Sequence, residues 1–263
     1  HIIMKNNLFF GFPLKVVTKV AFAGIFIALA CIFNKVVAIN YIPIVPFVRI
    51  SFGGPAIIIF ASFLLGPIYG ALIGGFSDIL GYLIFDIKAY PYFPSITLTY
   101  VLLGFLAGVL FFLAPKIKNI KLSRIIIYIS FTIIYLLVTL YVTLNSTITL
   151  FNNVLTIELW MKIVIPLVSS LLFIGLVIFI ELTNKKMKNK DLGMNVFSVA
   201  LMMFILELLV MTLFGSLMKA IAFGLDAFLV IFIFQLGALF FNIPFNVVVF
   251  YVILSQAKKY IVS

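Results

Sequence analysis

The side chains able to do chemistry gather in one stretch, Phe47 to Thr99, of an otherwise apolar chain. Arg49, Ser51, Asp78 and Tyr82 fall there, followed by the run Tyr92-Phe93-Pro94-Ser95-Ile96-Thr97-Leu98-Thr99. These types suit capture of a small molecule better than bond breaking. A guanidinium offers five donors in a planar fork, matched to a carboxylate or to an acceptor-rich flat ring. Asp78 can accept from the amine and ring N–H groups of a ligand, or pair with Arg49. Tyr92 and Phe93 can stack on a flat ligand, while Ser95, Thr97 and Thr99 can bond its edge. Each has a plainer reading beside it. Arg49 can snorkel to headgroups, and the aromatic run can be an interfacial belt before a helix capped by Ser95.

Catalytic chemistry has little to work with. The histidine is His1 and the cysteine is Cys31, so there is no thiol motif, no intrachain disulfide and no Cys/His metal constellation. GxxxxGK[ST], HExxH and GxSxG are all absent. The expectation is therefore no enzyme, no catalytic residue, no metal and no cofactor. The opening HIIM reads as a remnant ahead of a natural start at Met4, and the first apolar run reads as a retained span, not a cleaved signal.

Composition dictates what must position these groups. The chain has 263 residues, 65% of them hydrophobic and 10% charged, with a mean hydropathy of +1.36. A soluble domain of that size cannot hide so much apolar surface. The fold class is all-α, a polytopic helical bundle in a lipid bilayer. The net charge of +11 does not point to nucleic acid, because the lysines sit in short clusters between apolar runs. In a membrane protein such clusters report orientation.

Eight spans can be drawn: Leu14–Val37, Ala56–Gly66, Ile68–Phe85, Ser95–Leu113, Arg124–Thr143, Leu159–Leu182, Val196–Phe223 and Ala227–Leu254. A span needs roughly 20 apolar residues, so the second is expected to begin upstream, near Arg49 or Ser51. Gly66-Pro67 should close a tight hairpin, since proline starts helices well and continues them poorly. Lysines precede or open span one (Lys5, Lys15, Lys19), and cluster between spans four and five, between spans six and seven, and at the chain end. All four clusters fall on one side if both termini are cytoplasmic. The ends of spans one to four that carry Arg49, Asp78 to Tyr82, and Tyr92 to Thr99 then meet at the outer face.

Several other residues are singled out by their setting. Gly53-Gly54 and Gly74-Gly75 lie in or beside spans, where small residues let helices approach closely. Gly24 and Ala28 form a small-xxx-small pair on span one, for internal packing or for docking another membrane subunit. Glu207 is a carboxylate inside an apolar run, with Lys219 three turns on, and Asn242, Pro244 and Asn246 interrupt span eight. An ion-coupled secondary transporter using Asp78, Glu207 and Lys219 is the rival from another class, although such groups are few for a relay.

FVRISFGGP, LLGPIYGALIGGFSDILGYLIF and YFPSITLTYVLLGFLAGVLF occur in that order. Together they resemble the substrate-binding S component of energy-coupling factor (ECF) transporters, folate family (FolT-like). The resemblance covers residues 15–113 as spans one to four of an S component. The segment 191–257 resembles the family's terminal helical pair, which makes 124–190 an inserted hairpin within a single membrane domain, 1–263. The alternative makes Leu159–Leu182 the family's last span and the C-terminal pair the addition. Gln235 stands where a basic residue is common. The resemblance implies a binding subunit of a vitamin importer in the cell membrane, with folate or a reduced folate as ligand; a queuosine precursor, pantothenate or riboflavin are alternatives. It implies partners: a membrane scaffold (EcfT) and two cytoplasmic ATPases, whose ATP hydrolysis reorients the whole subunit. Carried onto this sequence, it places the ligand at Arg49, Ser51, Phe52, Asp78, Tyr82, Phe93 and Thr97, and the scaffold at Gly24 and Ala28.

Overall fold

The computed structural model describes residues 14–38, 50–86, 91–113, 120–150, 153–187, 196–223 and 228–261. Arg49 and Lys88 lie outside them. The chain forms two compact units, one of residues 1–38, 51–118 and 245–263, the other of 39–50 and 119–244. Among the described residues, six helices are long and apolar enough to cross a membrane, and two apolar helices are shorter.

The first unit begins with α1 (Val16–Ile32), which runs into a π-helical turn, Phe33–Val37. Then come α2 (Gly54–Leu65), α3 (Pro67–Gly81) with a π-helical turn Tyr82–Asp86, and α4 (Pro94–Leu113). The C-terminal part of α9 (Phe228–Ile261) completes the unit.

α2 does not extend upstream to Ser51 as expected. Gly53 takes φ 108°, a left-handed conformation that glycine tolerates best, and Pro55 occupies the first turn, so the helix starts at Gly54. Its 12 residues span about 18 Å against a hydrocarbon core of about 30 Å. Every residue of α2 except Phe63 is buried, as a helix apolar all round requires. The expected Gly66-Pro67 hairpin is present: Gly66 has φ 99°, its N–H donates to the Ser62 carbonyl at 2.9 Å, and Pro67 opens α3.

α3 and α4 meet backbone to backbone along Gly70, Gly74, Gly104 and Gly108. A Cβ on Gly70 would lie 2.6 Å from the Gly104 oxygen, and one on Gly74 2.7 Å from the Tyr100 carbonyl carbon. One on Gly108 would lie 2.5 Å from Pro67 Cα. The four-residue spacing on each helix puts these glycines on one face, the close-approach pattern of membrane helices. On the far side of α2, Phe60 packs on Phe26 (ring centroids 5.9 Å apart) and Phe250 (5.5 Å). Gly53 leaves room for Val249, whose Cγ2 would sit 2.6 Å from any Cβ there.

The second unit holds α5 (Ile120–Leu144), α6 (Leu159–Met187), α7 (Val196–Leu206), a π-helical segment Glu207–Phe214, α8 (Gly215–Phe223) and α9 up to Pro244. α5 buries Ser123, Ile127, Phe131, Ile134, Val138 and Val142, one helical stripe. Phe131 meets Phe204 at 5.3 Å and Phe240 at 5.5 Å. Arg124 donates to Glu181 Oε2 at 3.1 Å and lies over the Phe197 ring, while Tyr128 donates to Glu181 Oε1 at 2.7 Å.

One connection departs from an all-α description. The uncharged run near Asn152 and Asn153 is flanked by an antiparallel hairpin, β1 (Thr147–Leu150) with β2 (Asn153–Thr156), paired Thr147↔Thr156 and Leu150↔Asn153. Its threonines, isoleucine and valine favour pleated backbone, a signal the apolar span pattern on either side masks. α9 continues as helix through Pro244.

Candidate functional site

Both π-helical turns of the first unit carry an ionisable group, and the two groups meet. Lys35, in the turn after α1, forms an ion pair with Asp86, in the turn after α3. Its Nζ also lies 3.9 Å from Asp78 Oδ1. The three side chains are 5%, 17% and 8% exposed. π-helical turns recur at functional sites because the wider turn re-aims side chains. The Lys35 stem crosses Gly81, where a Cβ would come within 2.8 Å of Lys35 Cε.

The glycine seam delivers the other half. With Gly74 against the Tyr100 carbonyl, the last turn of α3 stands beside the first turn of α4. Thr97 Oγ1 donates to Asp78 Oδ2 at 2.7 Å. Tyr92 OH and Thr97 Oγ1 lie 2.6 Å apart. A hydroxyl has one proton; Thr97 gives its own to Asp78, so Tyr92 donates to Thr97. The Tyr82 and Tyr92 rings follow, centroids 5.1 Å apart and inclined at 50°. The result is a chain Tyr92→Thr97→Asp78, closed by Lys35 and Asp86 and flanked by two tyrosine faces.

Of the residues expected here, Asp78, Tyr82 and Thr97 come together. Phe93 is half-buried just before α4, its carbonyl accepting from the Ile96 N–H at 3.0 Å. Ser95 is not the cap, because α4 starts at Pro94 and Ser95 already lies in the first turn. Ser51 is buried at 3% exposure beside the start of α2. Phe52 meets Phe245 edge-on at 4.9 Å. Asp78 takes Lys35 and Thr97 as partners, whereas Arg49 lies outside the described residues.

Lys35, Asp86 and Asn34 were missed. Their signal was present, since intramembrane polar residues mark sites, but reading lysines as orientation markers hid Lys35. Asn34 is 3% exposed, and its Oδ1 has no hydrogen-bond partner among the described residues. Its side chain lies over Gly54, the first residue of α2.

Gly24 and Ala28 are exposed, and a Cβ on Gly24 would meet nothing within 4 Å, so internal packing does not explain this face. At the other end of α1, Lys19 is buried with its ammonium 5.8 Å from the Tyr69 ring centroid. In the second unit, Glu207 is 1% exposed and opens the π-helical segment. The Gln235 amide, its oxygen turned to Lys219 Nζ, directs its nitrogen at the carbonyls of Met211 (2.8 Å) and Thr212 (3.2 Å). Those carbonyls belong to the π-helical segment, where helical bonding is perturbed. Among the described residues no group of three His, Cys, Asp or Glu could hold a metal ion.

The sequence model of one family, described as ECF transporter, substrate-specific component, matches residues 18–182. The matched interval contains α1 to α4 with the whole polar cluster, and continues through α5 into α6. No curated protein and no solved structure matches the chain.

Proposed function

Because the chain belongs to the substrate-specific component family of ECF transporters, we propose that it captures folate or a reduced folate at the outer face of a bacterial plasma membrane. The carrying observation is the cluster of buried Lys35, Asp78 and Thr97 with the exposed Tyr92 at its edge, inside the family-matched segment. Buried polar groups in a membrane bundle are costly unless they are paired, and ionisable ones mark functional sites by default. Tyr82 and Tyr92 offer faces to a flat ring, and Asp78 offers an acceptor to its N–H groups. Arg49 and Ser51 enter the same capture reading from the chain preceding α2, Phe52 and Phe93 as aromatic walls.

Delivery follows from what the chain lacks. It has no nucleotide-cradling loop, so the energy comes from partners: a membrane scaffold (EcfT) and two cytoplasmic ATPases. The exposed face at Gly24 and Ala28 docks on the scaffold, and ATP hydrolysis reorients the whole subunit to release the ligand inside. Eight helical segments with both termini cytoplasmic accommodate this. In this reading spans one to four and the terminal pair 191–257 make the six-helix core, and 124–190 is an inserted hairpin; the extent of the family match, to residue 182, supports the alternative in which Leu159–Leu182 is the family's last span and the C-terminal pair is the addition.

The test is native mass spectrometry of the purified chain, followed by calorimetry with folate and 5-formyltetrahydrofolate. Co-purification and tight binding of a folate support the reading. Failure to bind any folate, with capture of riboflavin or pantothenate instead, overturns the ligand and keeps the class.

A further inference from the structure

We propose that the lysine-bearing end of α6 holds one anionic phospholipid, its phosphate at Asn184 and Lys185 and an acyl chain along Val177, Ile178 and Leu182. A cleft of about 520 Å³ lies there in the second unit, lined by those five residues and Glu181. Its lining is graded along the membrane normal. The apolar stretch Leu159–Lys185 has 27 residues, about 40 Å of helix, against about 30 Å of hydrocarbon and about 40–45 Å with both headgroup layers. Lys185 therefore reaches a headgroup layer, while Ile178, seven residues or about 10 Å deeper, lies at the level of acyl chains. The lysines of 185–190 assign this end to the cytoplasmic leaflet by the positive-inside rule. The cleft also opens to lipid, since 17% of the α6 apolar window is buried, the lowest share among the six long spans.

Charge selects the kind of lipid. Glu181 is the carboxylate in the lining, and both of its oxygens are engaged from α5, by Arg124 at 3.1 Å and Tyr128 at 2.7 Å. Lys185, one turn further on, is exposed, and no carboxylate pairs with it among the described residues. Lys121, also exposed, stands one turn before Arg124 and adds a second cation at the same membrane level. The cleft thus sets a cation and an amide donor above an apolar wall whose Ile178 and Leu182 are exposed. An anionic amphiphile meets both parts at once, as basic pockets at the cytoplasmic ends of membrane helices meet acidic headgroups. A free anion would leave the apolar wall bare, and a zwitterionic headgroup would bring its own cation toward Lys185.

Native mass spectrometry of the full chain, extracted from vesicles of equal parts phosphatidylglycerol and phosphatidylcholine, tests this. One phosphatidylglycerol should be retained, in preference to phosphatidylcholine by about fivefold or more, since each lysine near an acidic surface contributes about that factor. Lys185→Gln should lower the preference about fivefold. Leu182→Ser should lower retention with the charge unchanged; both positions are exposed, so the fold should tolerate either change. Lys15→Gln, an exposed lysine just before α1, should leave the preference as it is. Equal retention of the two lipids by the unaltered chain, or full preference kept by both Lys185→Gln and Leu182→Ser, would overturn the proposal. An equal loss in Lys15→Gln would show diffuse surface attraction and overturn it too. Vitamin capture rests on the first unit and stands whichever way this result falls.

Discussion

Replacing Gly74 by alanine should weaken ligand binding as well as the fold, while Gly108→Ala should weaken the fold alone. A Cβ on Gly74 would lie 2.7 Å from the Tyr100 carbonyl carbon, against 3.4 Å for ordinary contact. The obstacle is backbone, and the Tyr100 carbonyl oxygen lies nearer still, so the helices themselves must part, by at least about 0.7 Å at that level. Gly108 poses a comparable obstacle, 2.5 Å from Pro67 Cα. Overpacking of this kind costs about 1–3 kcal/mol, so both variants should unfold earlier on heating in detergent. Position separates them. Asp78 is four residues, about 6 Å, beyond Gly74, whereas Thr97 is eleven residues, about 16 Å, from Gly108. Parting the helices at Gly74 stretches the Thr97–Asp78 hydrogen bond from 2.7 Å to about 3.4 Å or more, outside the normal range. A hydrogen bond to a charged group is worth about 1.5–3 kcal/mol, which converts to roughly 10- to 100-fold in affinity. Calorimetry with the ligand identified by mass spectrometry reads this out. Equal loss of affinity in the two variants, or an unchanged unfolding temperature in Gly74→Ala, would refute the role given to the seam.

Lys35→Met should destabilise the chain by about 3–5 kcal/mol, because it leaves Asp78 and Asp86 without their cation at low exposure; thermal unfolding measures it, and a wild-type midpoint would show the pair to be dispensable. Arg49→Ala should weaken ligand binding about tenfold or more with membrane insertion intact; unchanged affinity removes Arg49 from the site. Gly24→Leu should leave ligand affinity as it is and abolish co-purification with the scaffold and ATPases, since the position is open on the chain's own surface; recovery of the full complex would place the docking face elsewhere.

The helices were legible because their signals are local. Apolar runs bounded by lysines, glycine and proline mark α3, α4 and the α7–α8 span to within about a residue, whereas α5 begins four residues earlier and α6 and α9 end five and seven residues later than the runs suggest, and Gly66-Pro67 marks the hairpin. Gly70, Gly74, Gly104 and Gly108 have the four-residue spacing of a close seam, although only Gly74 was picked out for packing. The start of α2 was misplaced because membrane length was imposed on a helix that other helices bury on nearly every side. The short β-hairpin escaped for a related reason: its strands are four residues each, too short to compete with the spans around them.

The site was half legible, and the dividing line is sequence separation combined with the meaning assigned to a charge. Asp78 and Thr97 are 19 residues apart, yet they lie at the facing ends of two helices that a tight seam holds antiparallel, so their meeting follows from the spans. Lys35 and Asp86 are 51 residues apart, and no periodicity links them. The positive-inside rule counts lysines at span ends without asking what each one touches. It treats Lys19 as an orientation marker, although Lys19 is buried against the face of Tyr69. It passes over Lys35 altogether, at the opposite end of the same helix. A lysine at a span end is free to report orientation only if no carboxylate or aromatic face waits for it there. Along α1 and the π-helical turn that continues it, one lysine finds an aromatic ring and the other finds two aspartates, so both ends are held by polar contacts while Gly24 and Ala28, between them, stay open. That division along one helix fits the proposal that one end holds the ligand while the middle meets a partner.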